Sequence, residues 1–132
     1  MDLTADFERR FVLGVAAIDA THREFVELVK RLGTCDRDRF VEFFPALVSH
    51  TRAHFAAEEG MMETSRFPAI AEHRSEHARV LGDLEHLGTQ LAKGRVRLAR
   101  AYVSEQLPDW FALHAETMDS ALAAHLNNLH ST

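Results

Sequence analysis

Cysteine is almost absent from this chain of 132 residues, and that scarcity removes whole classes of protein at once. A single thiol, Cys35, cannot form an internal disulfide or a thiolate metal cluster, and it reads as an ordinary loop residue. Proline and glycine are few, three and six, and no repeat, low-complexity segment or long linker interrupts the chain, so residues 1–132 are expected to form one domain. Positive charge is in deficit. Lys and Arg number 15 against 20 Asp and Glu, a formal net charge of −5, and with no Lys/Arg run visible the expectation is no nucleic acid and no anionic membrane as partner. The longest apolar run, from Phe11 to Ile18, is too short to span a bilayer. The first residues, MDLTADFERR, lack a signal-peptide core, which points to a cytoplasmic protein. Strand-like alternation of useful length is missing as well.

What is present is a set of apolar stripes at helical spacing, within a composition that is 46% hydrophobic and so sufficient for a sizeable core. The spacing predicts an all-α protein, an antiparallel up-down-up-down four-helix bundle over residues 19–132, preceded by an irregular N-terminal arm, 1–18, whose Phe7 and Phe11 pack on the domain. The first helix takes Asp19 as N-cap and runs to about Gly33 through Ile18, His22, Phe25 and Leu32. The second covers roughly Asp38 to Thr64 through Phe40, Phe44, Leu47, Thr51, His54, Phe55, Glu58 and Met62, with Pro45 either kinking its first turns or marking a later start. After the turn Arg66-Phe67-Pro68, the third carries Ile70, His73, His77, Leu84, Leu87 and Leu91 and stops near Gly94. The fourth runs from about Val96 to the end through Val103, Leu107, Trp110, Phe111, His114, Met118, Leu122 and Leu129, and Pro108 should bend or divide it.

Histidine is the abundant residue, nine in all, and its placement matters more than its number. Every helix brings at least one His on its buried stripe: His22, then His54, then His73 and His77, then His114. Glu58 lies on the second stripe, and Asp119 lies beside the fourth, next to Met118. A buried carboxylate or a core crowded with imidazoles is costly unless paired, and a metal removes the penalty. Seven such groups exceed one tetrahedral zinc and suit two octahedral ions with shared carboxylates, and imidazole-rich donors favour iron over magnesium or calcium. One step in this pattern is weak, because the five residues from His114 to Asp119 turn by roughly 140° on a regular helix. A carboxylate-rich di-iron oxidase would need Glu-x-x-His on two helices, and the sequence has none. His50, His86, His125 and His130 lack acid partners at ligand spacing and are read as surface or rim residues, with His50 the one that could support the ligands from behind.

The segments GVAAIDATH (Gly14 to His22), HFAAEEGMM (His54 to Met62), FPAIAEHRSEH (Phe67 to His77) and Trp110 with His114-x-x-x-x-Asp119 together resemble the hemerythrin family, most closely its single-domain bacterial members. By that resemblance His73, His77 and His114 would hold one iron and His22 and His54 the other, with Glu58, Asp119 and an oxo or hydroxo ligand as bridges. Dioxygen would bind reversibly at the iron with fewer histidines, for storage, delivery or buffering. Phe25, Phe55, Met62, Phe111, Ala112 and Ala115 would line its pocket. The resemblance implies an oxygen-binding protein rather than an enzyme, and a monomer is expected. The competing readings are an oxygen or redox sensor acting through a partner protein, and a di-iron peroxidase or nitric oxide handling enzyme. In the family the residue after the fourth-helix histidine is usually a larger aliphatic than Ala115, so a roomier pocket and faster autoxidation are expected here.

Overall fold

The computed structural model describes residues 3–130. Among them no strand occurs, and no helix is long and apolar enough to cross a membrane. A short helix, α1 (Phe7–Phe11), precedes three long ones, α2 (Ala16–Thr34), α3 (Arg37–Ser65) and α4 (Ile70–Ala92). A fourth rod is assembled from α5 (Arg97–Ala101), a π-helical turn Tyr102–Gln106, α6 (Leu107–His114), a second π turn Ala115–Asp119 and α7 (Ser120–His130), with helical backbone at every junction. Helix α3 packs between α2 and α4, and the fourth rod closes the bundle against α4 and α2.

The helix ends are set by local chemistry. Asp36 caps α3 by accepting from the Arg39 amide at 2.9 Å, one residue before the helix begins. Helix α4 ends where Gly94, at φ +81°, lets its own amide reach Leu91 O and the Arg95 amide reach Gln90 O. Asp19 plays a different part from the N-cap expected of it. The helix starts earlier, at Ala16, and the Asp19 carboxylate instead reaches back to accept from the amides of Leu13 (2.7 Å) and Gly14 (3.2 Å), fixing the turn in which Gly14 takes φ +86°.

The arm is likewise more ordered than its sequence suggests. Phe7 and Phe11 lie one turn apart, their rings 5.9 Å from each other, and both are buried against the bundle. A single turn is too short to show a period, and it forms because both rings find the same apolar surface. Neither internal proline breaks its rod. Pro45 lies within a continuous α3, and both it and Val41, whose carbonyl it leaves without an amide, are exposed, so water can take that hydrogen bond. Pro108 follows the first π turn, where Leu107 N–H reaches back five residues to Tyr102 O; the widened turn absorbs the clash a proline would make in a regular helix. Two expected stripe positions of the fourth rod fall elsewhere: Met118 is only half-buried and Leu129 is exposed.

The core has three layers. A large apolar layer holds Phe25, Phe40, Phe44, Leu84, Leu107 and Phe111, and a smaller one holds Ile18, Met62, Phe67 and Leu122. Between them along each helix lie His22, His54, Glu58, His73, His77, His114 and Asp119, all buried. The bundle therefore encloses a polar slab between two greasy ones.

Candidate metal centre

The second π turn solves the spacing that a regular helix could not. Its i→i+5 pattern, visible in the Ser120 amide bonding to Ala115 O, sets residues five apart nearly above one another, so Asp119 rather than Met118 turns inward beneath His114. The other ligand candidates need no such device, since His54 and Glu58, and His73 and His77, are one regular turn apart.

The seven groups form two clusters that share a carboxylate: Glu58, His73, His77, His114 and Asp119 on one side, His22, His54 and Glu58 on the other. Each carboxylate divides its oxygens between the sides. Glu58 Oε2 lies 2.7 Å from His54 Nε2 and 3.7 Å from His22 Nε2, while Oε1 lies 3.2 Å from His77 Nε2 and 3.4 Å from His73 Nε2. Asp119 Oδ2 lies 2.8 Å from His22 Nε2, while Oδ1 lies 2.9 Å from His73 Nε2 and 3.2 Å from His114 Nε2. All five imidazoles thus present Nε2 to the carboxylates.

These contacts crowd charge together without satisfying it. Glu58 Oε1, Asp119 Oδ1 and His77 Nε2 are buried and lack a hydrogen bond despite their near approaches, and the Nε2 atoms of His73 and His114 face each other at 3.1 Å. Burial opposes protonation of His22 and His73, yet the adjacent Asp119 and Glu58 outweigh it and push their pKa values up to about 10 and about 9. Burial would raise Glu58 and Asp119, with the Glu58 charge adding to the effect on Asp119, but the surrounding histidines hold both carboxyls below the usual carboxylate range. Protons are here doing the work of a cation. Converging Nε2 lone pairs, two anionic carboxylates and unpaired oxygens are the donor set that borderline divalent ions take, so the residues fit a pair of cations.

The second layer of contacts differs from side to side. Phe55 lies flat on His77, with ring centroids 3.9 Å apart and planes at 2°, and Trp110 stacks on His114 at 4.5 Å and 21°. The Trp110 indole N–H is held by Glu76 at 3.4 Å. His77 Nδ1–H donates to Glu59 Oε2 at 3.0 Å. On the other side Phe111 and Phe25 meet His22 and His54 edge-on, at 84° and 68°, and stack on each other at 4.8 Å. His22 Nδ1–H points at Phe11 O, 3.4 Å away. Ala112 and Ala115 are buried in the same apolar layer as Phe25 and Phe111, whereas Met62 falls in the other layer with Ile18 and Phe67.

Of the remaining histidines, His86 is exposed. His50 and His125 are half-buried rather than superficial: His50 lies 5.8 Å from His54, ring to ring, and 3.6 Å from Glu24, and His125 bonds to Ser65 O at 2.9 Å. The side chain of His130 lies outside the described residues. Sequence reasoning missed Glu59, Phe11 and Glu76. Glu59 had a signal, as the second acid in HFAAEEGMM, but a backbone carbonyl such as that of Phe11 leaves none.

A helical bundle with a buried histidine and carboxylate centre, in which two clusters share a carboxylate, defines a class of cation-binding proteins. The family described as "Hemerythrin HHE cation binding domain" matches residues 13–126, and the chain belongs to the hemerythrin family. Among curated proteins it is similar to the bacteriohemerythrin of Ralstonia nicotianae, 38% identical over 114 residues that cover 86% of this chain and 82% of that protein. It is also similar to the bacteriohemerythrin of Stenotrophomonas maltophilia, 30% identical over 87% of this chain and 79% of that one. No solved structure matches it.

Proposed function

We propose that the protein binds dioxygen reversibly at two iron ions held in the polar slab, acting as a single-domain monomer that stores, delivers or buffers oxygen in the cytoplasm. The observation that carries the reading is the division of oxygens: Glu58 turns one oxygen toward His22 and His54 and the other toward His73 and His77, and Asp119 turns one toward His22 and the other toward His73 and His114. In this reading His73, His77 and His114 would hold one ion and His22 and His54 the other, with the Glu58 and Asp119 carboxylates shared between them. When bound, a ferrous pair supplies the electrons and the open position that dioxygen needs. The chain supplies the rest. Three histidines on one side and two on the other leave the second side short of a protein donor. Phe25 and Phe111, stacked on each other and set edge-on against His54 and His22, exclude water there, and Ala112 and Ala115 leave room beside them. The Phe11 carbonyl takes the Nδ1 proton of His22 and so directs its Nε2 inward.

The test is iron analysis with optical spectra of the reduced protein before oxygen, under oxygen and after its removal. Two irons per chain and a visible charge-transfer band that appears and vanishes with oxygen are expected. An irreversible change, or turnover of peroxide or nitric oxide much faster than autoxidation, replaces the carrier by an enzyme.

A further inference from the structure

We infer that Glu59 is a positioning residue for the three-histidine side of the centre, fixing and polarising His77 through its Nδ1–H. The inference rests on the di-iron reading. Glu59 follows Glu58 directly, so it projects about 100° away on the helix and cannot join Glu58 inside the slab. It lands instead on the α3–α4 face, where its Oε2 receives the His77 Nδ1–H at 3.0 Å.

Among the five buried histidines this arrangement is singular. The Nδ1 atoms of His54, His73 and His114 have no partner, and that of His22 meets only the Phe11 carbonyl, at 3.4 Å. An ionised carboxylate can only accept, so Glu59 assigns the ring proton to Nδ1 and leaves the Nε2 lone pair facing Glu58 Oε1 and the slab, as a ligand must. Glu59 is itself held: Arg74 Nε donates to its Oε1 at 3.3 Å, and the other end of the guanidinium binds Glu63. With Phe55 flat against the ring, His77 is constrained in plane by stacking and in rotation by the carboxylate.

The placement also separates charge from burial. The Glu59 side chain is 28% exposed, whereas that of Glu58 is 1% exposed. Water bears part of the Glu59 charge, and the hydrogen bond carries its effect to the centre through the imidazole, making Nε2 more basic and favouring the higher oxidation state of an ion bound there.

The experiment compares iron-loaded wild-type protein with Glu59→Gln and Glu59→Ala. Expected are two irons per chain in all three, release to a ferrous chelator about 10–100-fold faster in the variants, and a ferric-ferrous balance moved about tenfold toward ferrous, a rise of about 59 mV for one electron. Zinc competition should show the same loss of affinity without redox chemistry. Unchanged potential, release rate and zinc affinity in both variants overturn the role. A variant that takes up no metal is judged by the metal-free melting temperature: an unchanged Tm supports the role, and a collapsed fold overturns it, because Glu59 then serves only its pairing with Arg74. Failure of the wild-type protein to bind two irons removes the di-iron reading, while zinc competition still decides whether Glu59 tunes His77.

Discussion

The two sides of the polar slab are built to different tolerances. His77 and His114 are each covered by a stacked aromatic ring, and His77 is pinned by a carboxylate, whereas His22 and His54 touch aromatic edges. Stacking fixes a ring plane, while an edge contact leaves it freer to tilt. The difference teaches where change is permitted. His77 and His114 are held from outside by stacking, while His22 and His54 keep more freedom, on the side where the proposed function puts the incoming ligand.

The largest effect should come from the group the two sides share. Glu58→Ala removes a bridge and half of the anionic charge, so iron should fall from two per chain to below one; full retention of both would sink the assignment. Proton competition comes next. With protein groups alone in the slab, His22 and His73 are raised from 6.5 to about 10 and about 9, so their contribution is complete below pH 6.5 and is lost as pH climbs through those values. Glu58 is depressed from 4.5, so its contribution is complete above pH 4.5 and is lost as pH falls through its lowered value. Metal-stripped protein should therefore melt highest between pH 4.5 and 6.5 and lose Tm steadily toward pH 10, a decline that iron abolishes by replacing the protons. A flat alkaline profile for the stripped protein contradicts this.

A paired substitution sharpens the comparison itself. Phe111→Ala and Phe55→Ala should each cost about 3–5 kcal/mol in stability, since both rings are buried. Phe111→Ala should also speed autoxidation, and more than Phe55→Ala, whose ring lies flat on His77 but still 5.5 Å from His54; equal acceleration by both would mean that the sides do not differ in access. The smallest expected change is Ala115→Ile, which narrows the space beside the pocket and should slow autoxidation several-fold, at about 1–3 kcal/mol of overpacking. Stopped oxygen uptake and the decay of the oxygen-dependent band measure both.

The bundle was legible because four apolar stripes with regular periods leave little choice, and six of the seven inward groups share those stripes. Asp119 is the seventh. Its misfit was visible as a wrong angle, but the π turn that resolves it depends on tertiary packing, which rewards an inward carboxylate more than a regular hydrogen-bond ladder. Pro108 raised the same kind of alarm, and the same kind of turn answered it. Asp19 has the residue type of an N-cap and was misread because its carboxylate serves the turn behind it. The five-residue α1 carries too few positions to define a period, and the contact of Phe11 with His22 is made by a backbone atom that no side-chain pattern encodes.

The second π turn also has a bearing on length. A π turn is equivalent to one surplus residue in a regular helix, so Ala115–Asp119 marks a place where the chain is longer by one than its rod requires. Closing the turn into a regular helix without removing a residue would mend the hydrogen-bond ladder but swing everything beyond it by about 100°, taking Asp119 out of the slab, whereas trimming one residue would leave the aspartate four after His114, the spacing of Glu58 from His54. At the present chain length a regular helix and an inward Asp119 are alternatives at this point in the fold.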